Sequence, residues 1–161
     1  MALVLREARA EDLPAICVLG QELHVLHHAA WPQIFAQPSD PSRDAPHWQQ
    51  SIARPDATAF VAEQSGQVIA FITVSLVAES KPLLQPMLVA HIGSVCVSAQ
   101  FRRRGVGRSL MARAEQWAHE RGGSDILLNV WAFNAEALSF YEGLGYAVRS
   151  HFLGKVLARA V

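Results

Sequence analysis

Arg102, Arg103, Arg104 and Arg108 surround Gly105 and Gly107 in the stretch Arg-Arg-Arg-Gly-Val-Gly-Arg, between an apolar, strand-like run at 91–98 and an amphipathic, helix-like run at 106–121. A basic, glycine-bearing turn that feeds a helix N-terminus can hold a pyrophosphate, because free backbone N–H groups and the positive end of the helix dipole converge there. Gly105 and Gly107 remove side chains where the backbone must come close, and the N–H groups of 103–108, Val106 among them, wrap the anion. Arg102, Arg104 and Arg108 add charge-assisted contacts to phosphate oxygens. Taken alone, the same turn also reads as a solvated basic patch or a nucleic-acid contact.

Other residues suited to chemistry are scattered. Three histidines, His24, His27 and His28, crowd the end of one helical run; His91 opens the strand-like run and Glu79 closes the one before it. Cys17 and Cys96 fall in a helix-like and a strand-like run, without metal-ligand spacing, and read as reduced core thiols.

The elements that must position these groups follow from periodicity. Residues 3–8 alternate as a strand, and 11–28 place Leu13, Ile16, Leu19, Leu23 and Leu26 on one helical face, with Pro14 tolerated in the first turn. From 31 to 54 the composition turns to Pro, Ser, Asp, Gln and Trp, an irregular connection with a short helix around 47–53. Strands at 58–63 and 68–77 flank Gln64-Ser65-Gly66-Gln67, a hairpin turn, and a further strand follows at 88–98. In the helix at 106–121, Val106, Leu110, Ala114, Trp117 and Ala118 form the apolar stripe and Gly122-Gly123 the stop. A buried strand at 126–131 precedes a short helix at 134–143 capped by Asn134, and 146–150 and 152–158 read as a closing pair of strands. Strand, helix, strand over 88–131 requires a parallel pair with a crossover, so the sheet is expected to be mixed.

Composition sets the outer limits. The 161 residues, 51% of them hydrophobic, suit one domain over 1–161 with a substantial core. Fourteen basic residues balance fourteen acidic ones, so no global field favours nucleic acid or an anionic membrane. No apolar stretch reaches the roughly 18 residues that span a bilayer, and the N-terminus lacks the marks of a signal peptide; a cytoplasmic protein is expected.

Together, the Val95-Cys96-Val97 strand, RxxGxG over 102–107 and, about 27 residues further on, NxxAxxFYExxGY over 134–146 resemble the GCN5-related N-acetyltransferase (GNAT) superfamily. The resemblance implies an α/β (α+β) fold in one domain. Its sheet is mixed, mostly antiparallel and twisted, with about seven strands, a splayed parallel pair and about four flanking helices. It implies acetyl-CoA as donor, held by the arginine turn and by main-chain groups of Val95 and Val97, in the strand that also holds Cys96, with the pantetheine arm lying in the splay like an added strand. A backbone N–H there would face the thioester carbonyl. Asn134 both caps its helix and contacts the cofactor, Ala137 leaves room for the arm, and Tyr141 is the family tyrosine that protonates the departing thiolate.

The base that takes the proton of the attacking amine is His91, at the position where several relatives carry Glu or His, or Glu79. By the same resemblance the acceptor side involves His24, His28 and Trp31, with His27, Trp48 and the 81–86 loop nearby. Its weak charge does not favour a polyamine. His24 and His28 have the i, i+4 spacing of a metal pair, yet no third ligand is suggested and the chemistry needs no metal, so none is expected. The implied function is transfer of acetyl to a primary amine of a small molecule or peptide N-terminus in a ternary complex. The alternative is a module that binds acyl-CoA without efficient transfer. Some relatives dimerise through their closing strands, and 152–161 is apolar enough for a homodimer of that kind.

Overall fold

The computed structural model describes residues 2–52 and 54–157, which fall into two compact units divided after Asn129. The first unit carries β1 (Leu3–Glu7), α1 (Leu13–Ala30), α2 (Ala45–Ile52), β2 (Ala57–Gln64), β3 (Gln67–Glu79), β4 (Met87–Val97), α3 (Val106–Glu120) and β5 (Asp125–Leu128); the second carries α4 (Ala135–Glu142). The sheet runs β1-β2-β3-β4-β5, antiparallel except for the parallel β4–β5 pair that α3 connects.

Local chemistry explains the frame. Ser65 and Gly66 both take positive φ (54° and 78°), the geometry that matches a two-residue turn to the strand twist, and Gln64 pairs with Gln67 across it. Pro46 sits in the first turn of α2, where a missing N–H costs no helical bond, so the helix starts earlier than its expected position around 47–53. Alternation divides the sheet. Cys96, Phe71 and Val61 face α1 and α2, where they pack with Ile16, Cys17, Leu19 and Trp48. On the other side α3 lays Leu110, Met111, Ala114 and Trp117, all buried, against β2, β3 and β4. Of the expected α1 stripe, Leu26 is turned outward and 45% exposed, and Gly20 is buried in its place. A Cβ on Gly20 would lie 2.8 Å from the Trp48 ring, so the bare glycine lets α2 seat its indole against α1.

The strand at 126–131 ends at Leu128, and the expected strands at 146–150 and 152–158 are not formed: among the described residues the sheet has five strands, not seven. Residues 146–157 are irregular, with Val148, Phe152, Leu153, Val156 and Leu157 exposed, and Ala158 lies outside the described residues. Apolar, β-prone composition is permissive only; a strand needs a ladder partner for its N–H and C=O groups. No helix among the described residues is long and apolar enough to cross a membrane.

Candidate active site

The site is organised by β4, which changes character along its length. Residues 89–92 pair with β3 on one side and with 125–128 of β5 on the other; after Leu128 the parallel ladder ends while β4 continues to Val97. At this point the β3–β4 register shifts, so that Gly93 and Ser94 together stand opposite Thr73. The bulge is held by side chain: Ser94 N–H donates to Thr73 Oγ1 at 2.9 Å, and a Cβ on Gly93 would meet that oxygen at 2.7 Å. Further on, Ser98 N–H donates to Ile69 C=O at 2.9 Å. With these groups turned to β3, alternation directs the main-chain groups of Val95 and Val97 to the edge that β5 has left.

That edge leads into the arginine turn. Arg103 and Gly105 both adopt positive φ (60° and 81°), curling the backbone, and Gly105 is the N-cap of α3. The glycine suits the left-handed position; Arg103 occupies it at some strain. The first intrahelical bond is Ser109 N–H to Gly105 C=O at 3.0 Å, so the N–H groups of Val106, Gly107 and Arg108 are left over at the helix start, with the dipole behind them. Arg102, Arg103, Arg104 and Arg108 are exposed, and Arg104 lies 5.6 Å over the Phe101 ring. Arg102 Nε donates to Val97 C=O (2.9 Å) and its Nη2 to Glu22 Oε2 (2.9 Å), tying the turn to α1.

Behind the bulge, on the face shared with α2, lies a cavity of about 180 Å³ lined by His47, Ser51, Thr73, Ser75, His91 and Ser94, among others. His91 Nε2 is buried and has no hydrogen-bond partner among the described residues. Glu79 does not share this position. Its register partner is Met87, four residues along β4 from His91, or about 13 Å at the rise of a strand, and its carboxylate lies 3.6 Å from Lys81 Nζ.

The three residues expected on the acceptor side do not line this cavity. His24 Nδ1 is 3.6 Å from Asp44 Oδ2, His28 Nδ1 lies 2.9 Å from Phe35 C=O, and Trp31 caps α1 with its N–H donating to His27 C=O; none lines the cavity. Trp48 is a core side chain, 4% exposed, its ring edge-on to Phe71 at 5.1 Å. The cavity is lined instead by His47 and Ser51, one helical turn apart on α2, and by the hydroxyls of β3 and β4. The signal for the bulge was Gly93, a glycine inside a strand pattern, which marks an irregularity or a close approach.

Cys17 and Cys96 are buried and unpaired. Burial pushes the Cys96 thiol up to about 12, with Glu22 adding to it, and Cys96 Sγ–H donates to Leu19 C=O at 3.2 Å; Cys17 is also raised, chiefly by burial. Neither is an ionised nucleophile near neutrality. In the second unit, Asn134 caps α4, its Oδ1 accepting from Ala137 N–H at 3.1 Å. Tyr141 packs edge-on to Phe140 (5.1 Å) and Tyr146 (5.9 Å), and burial raises its phenol above the ordinary value.

A parallel pair whose ladder ends while β4 runs on toward a helix-capping basic turn gives an α+β fold with a free strand edge beside an anion-binding helix start. The chain belongs to the Acetyltransferase (GNAT) family, whose sequence profile matches residues 21–146. It is 31% identical over 100 residues to N-acetyltransferase family 8 member 3 of Rattus norvegicus, a match that takes in 62% of this chain and 42% of that protein. The chain thus spans less than half of that relative's length. A mutant protein from Bacillus halodurans superposes with a TM-score of 0.87 at 24% identity, over 96% of this chain and 99% of the other. An aminoglycoside N-acetyltransferase in complex with CoA does so with a TM-score of 0.76 at 17% identity, over 99% and 96%. These two are likenesses of fold.

The residues of the first unit fit the donor the family uses. Diphosphate needs convergent N–H donors and positive charge, which the turn at 103–108 offers; an arm bearing two amides needs an extended main-chain partner, which Val95 and Val97 offer.

Proposed function

We propose that this chain is an acetyl-CoA-dependent N-acetyltransferase that acts on a primary amine of a small molecule or a peptide N-terminus, with both substrates bound together. The reading rests above all on β4, whose abandoned edge runs straight into the left-handed, arginine-bearing start of α3. Acetyl-CoA, when bound, supplies an activated acetyl thioester. The amine nitrogen bonds to the carbonyl carbon as the C–S bond breaks, and the electron pair leaves on sulfur. Main-chain groups of Val95 and Val97 hold the pantetheine arm, N–H groups of 103–108 hold the diphosphate with Arg103, Arg104 and Arg108 screening its charge, and Arg102 positions the turn through Glu22 and Val97. By the family resemblance, Asn134 and Ala137 are also donor-contacting residues.

His91 is the better of the two base candidates, because it lines the cavity and its Nε2 has no partner among the described residues, while Glu79 lies beside Lys81 and does not line it. Tyr141 returns a proton to the thiolate. Its raised pKa keeps the phenol protonated past the ordinary value of about 10, so the acid form is available wherever the amine is free to react. The family profile runs across the division after Asn129, which supports one N-acetyltransferase domain. Two unpaired buried cysteines suit a reducing, cytoplasmic setting.

Thiol release from acetyl-CoA tests this directly. Release is expected only when an amine is present, and Tyr141→Phe is expected to lower turnover about 10²-fold while CoA affinity stays unchanged. CoA binding without amine-dependent release would replace the enzyme with a binding module.

A further inference from the structure

The cavity at the β4 bulge offers hydrogen-bonding side chains beside apolar ones and no carboxylate, guanidinium or ammonium group among its described residues. Its hydrogen-bonding side chains are two imidazoles, His47 and His91, and the hydroxyls of Ser51, Thr73, Ser75 and Ser94; no Asp, Glu, Lys or Arg among the described residues lines it. The carboxylates in the neighbouring segments are engaged. Asp44, just before α2, accepts from Gln21 Nε2 at 2.7 Å and faces His24; Asp56, just before β2, is held by Arg54; Glu79 faces Lys81.

Such a lining selects by charge. A molecule with several ammonium groups loses hydration on entry and finds no carboxylate to replace it, while a carboxylate on the acceptor finds no guanidinium or ammonium. Hydroxyl and imidazole groups instead match uncharged amides and hydroxyls, each able to donate or accept. His91 lines the cavity and its Nε2 has no hydrogen-bond partner among the described residues, so it can take the hydrogen bond of a single amine. We propose that the acceptor is a small monoamine whose other polar groups are uncharged, of the α-amino amide type found at a peptide N-terminus. Polycations of the kind named for the aminoglycoside-acetylating structural neighbour are disfavoured. The inference rests on the transferase reading above and narrows its substrate.

Thiol release from acetyl-CoA is measured with alaninamide, alanine, spermidine and the aminoglycoside kanamycin, on the full chain and on Ser51→Asp. Alaninamide is expected to exceed each of the other three by at least about tenfold in kcat/KM. Ser51→Asp, which places a carboxylate in the lining, is expected to raise kcat/KM for spermidine or kanamycin relative to alaninamide by about tenfold, with CoA affinity by calorimetry unchanged. A preference for alanine or for either polycation in the unmodified chain overturns the proposal and leaves the transferase reading intact, as does unaltered selectivity in folded Ser51→Asp. No release with any amine, from protein that binds CoA, overturns both.

Discussion

The two halves of β4 are built from similar residues and have different tasks. Residues 89–92, Val-Ala-His-Ile, are bonded on both sides, to β3 and to β5. Residues 95–97, Val-Cys-Val, pair with β3 as their one partner strand, beyond a bulge that Gly93, Ser94 and Thr73 create, and Val97 C=O also accepts from Arg102 Nε. Apart from His91, the side chains do not separate the halves, since the rest are apolar. What separates them is where β5 stops and which way the main-chain groups turn after the bulge. In this fold the donor site is backbone chemistry made available by ending a neighbour early.

Proline substitution is the strongest way to break that comparison. Val95→Pro removes an N–H directed away from β3 and should leave the fold standing, while thiol release from acetyl-CoA falls by about 10²-fold or more. Ile92→Pro sits inside both ladders and should cost about 3 kcal/mol or more in denaturant unfolding. Equal destabilisation by the two, or full activity in Val95→Pro, would mean the halves do not differ as described.

A substitution far from the edge sharpens the contrast by changing stability alone. Asp12 is 7% exposed, bonded by both oxygens to the Arg6 guanidinium at 2.7 and 2.8 Å, and accepts from Arg9 N–H at 2.7 Å; Arg6 also reaches Glu63 at 2.9 Å. The Arg6 hydrogen bond is the main reason its carboxyl is held below the usual value. A lowered folded-state pKa stabilises the protein above the ordinary carboxylate value near 4, and that contribution fades as pH falls below it. Asp12→Asn should therefore lose about 2–3 kcal/mol at pH 7, flatten the acid limb of the stability curve and leave the KM for acetyl-CoA unchanged.

Gly93→Ala gives the smallest expected effect and the most local one. Its Cβ must displace Thr73 Oγ1, so the Ser94 bond is lost at about 1–2 kcal/mol, with kcat falling more than stability explains. Unchanged kcat in a folded variant would show that the bulge has no part in placing the edge.

Much of this could be read from local signals. The arginine turn, the start of α3, the Ser65-Gly66 hairpin, the Asn134 cap and the parallel crossover each depend on a few adjacent residues whose chemistry has one good solution. The cavity depended on residues far apart in sequence. His47 and Ser51 reach it only because Gly20 admits Trp48 and so fixes the placement of α2, and the hydroxyls of β3 and β4 meet there only because the register slips by one. The closing strands failed for the complementary reason: composition at 146–157 permits pairing, and only a partner decides it.

Amide hydrogen exchange with and without CoA tests the central claim most directly. Protection on binding is predicted at Val95, Val97 and 105–108, with Ile92, which lies between β3 and β5, unchanged. Binding that leaves 95, 97 and the turn as exchangeable as before, or that protects the rest of the sheet equally, would contradict it.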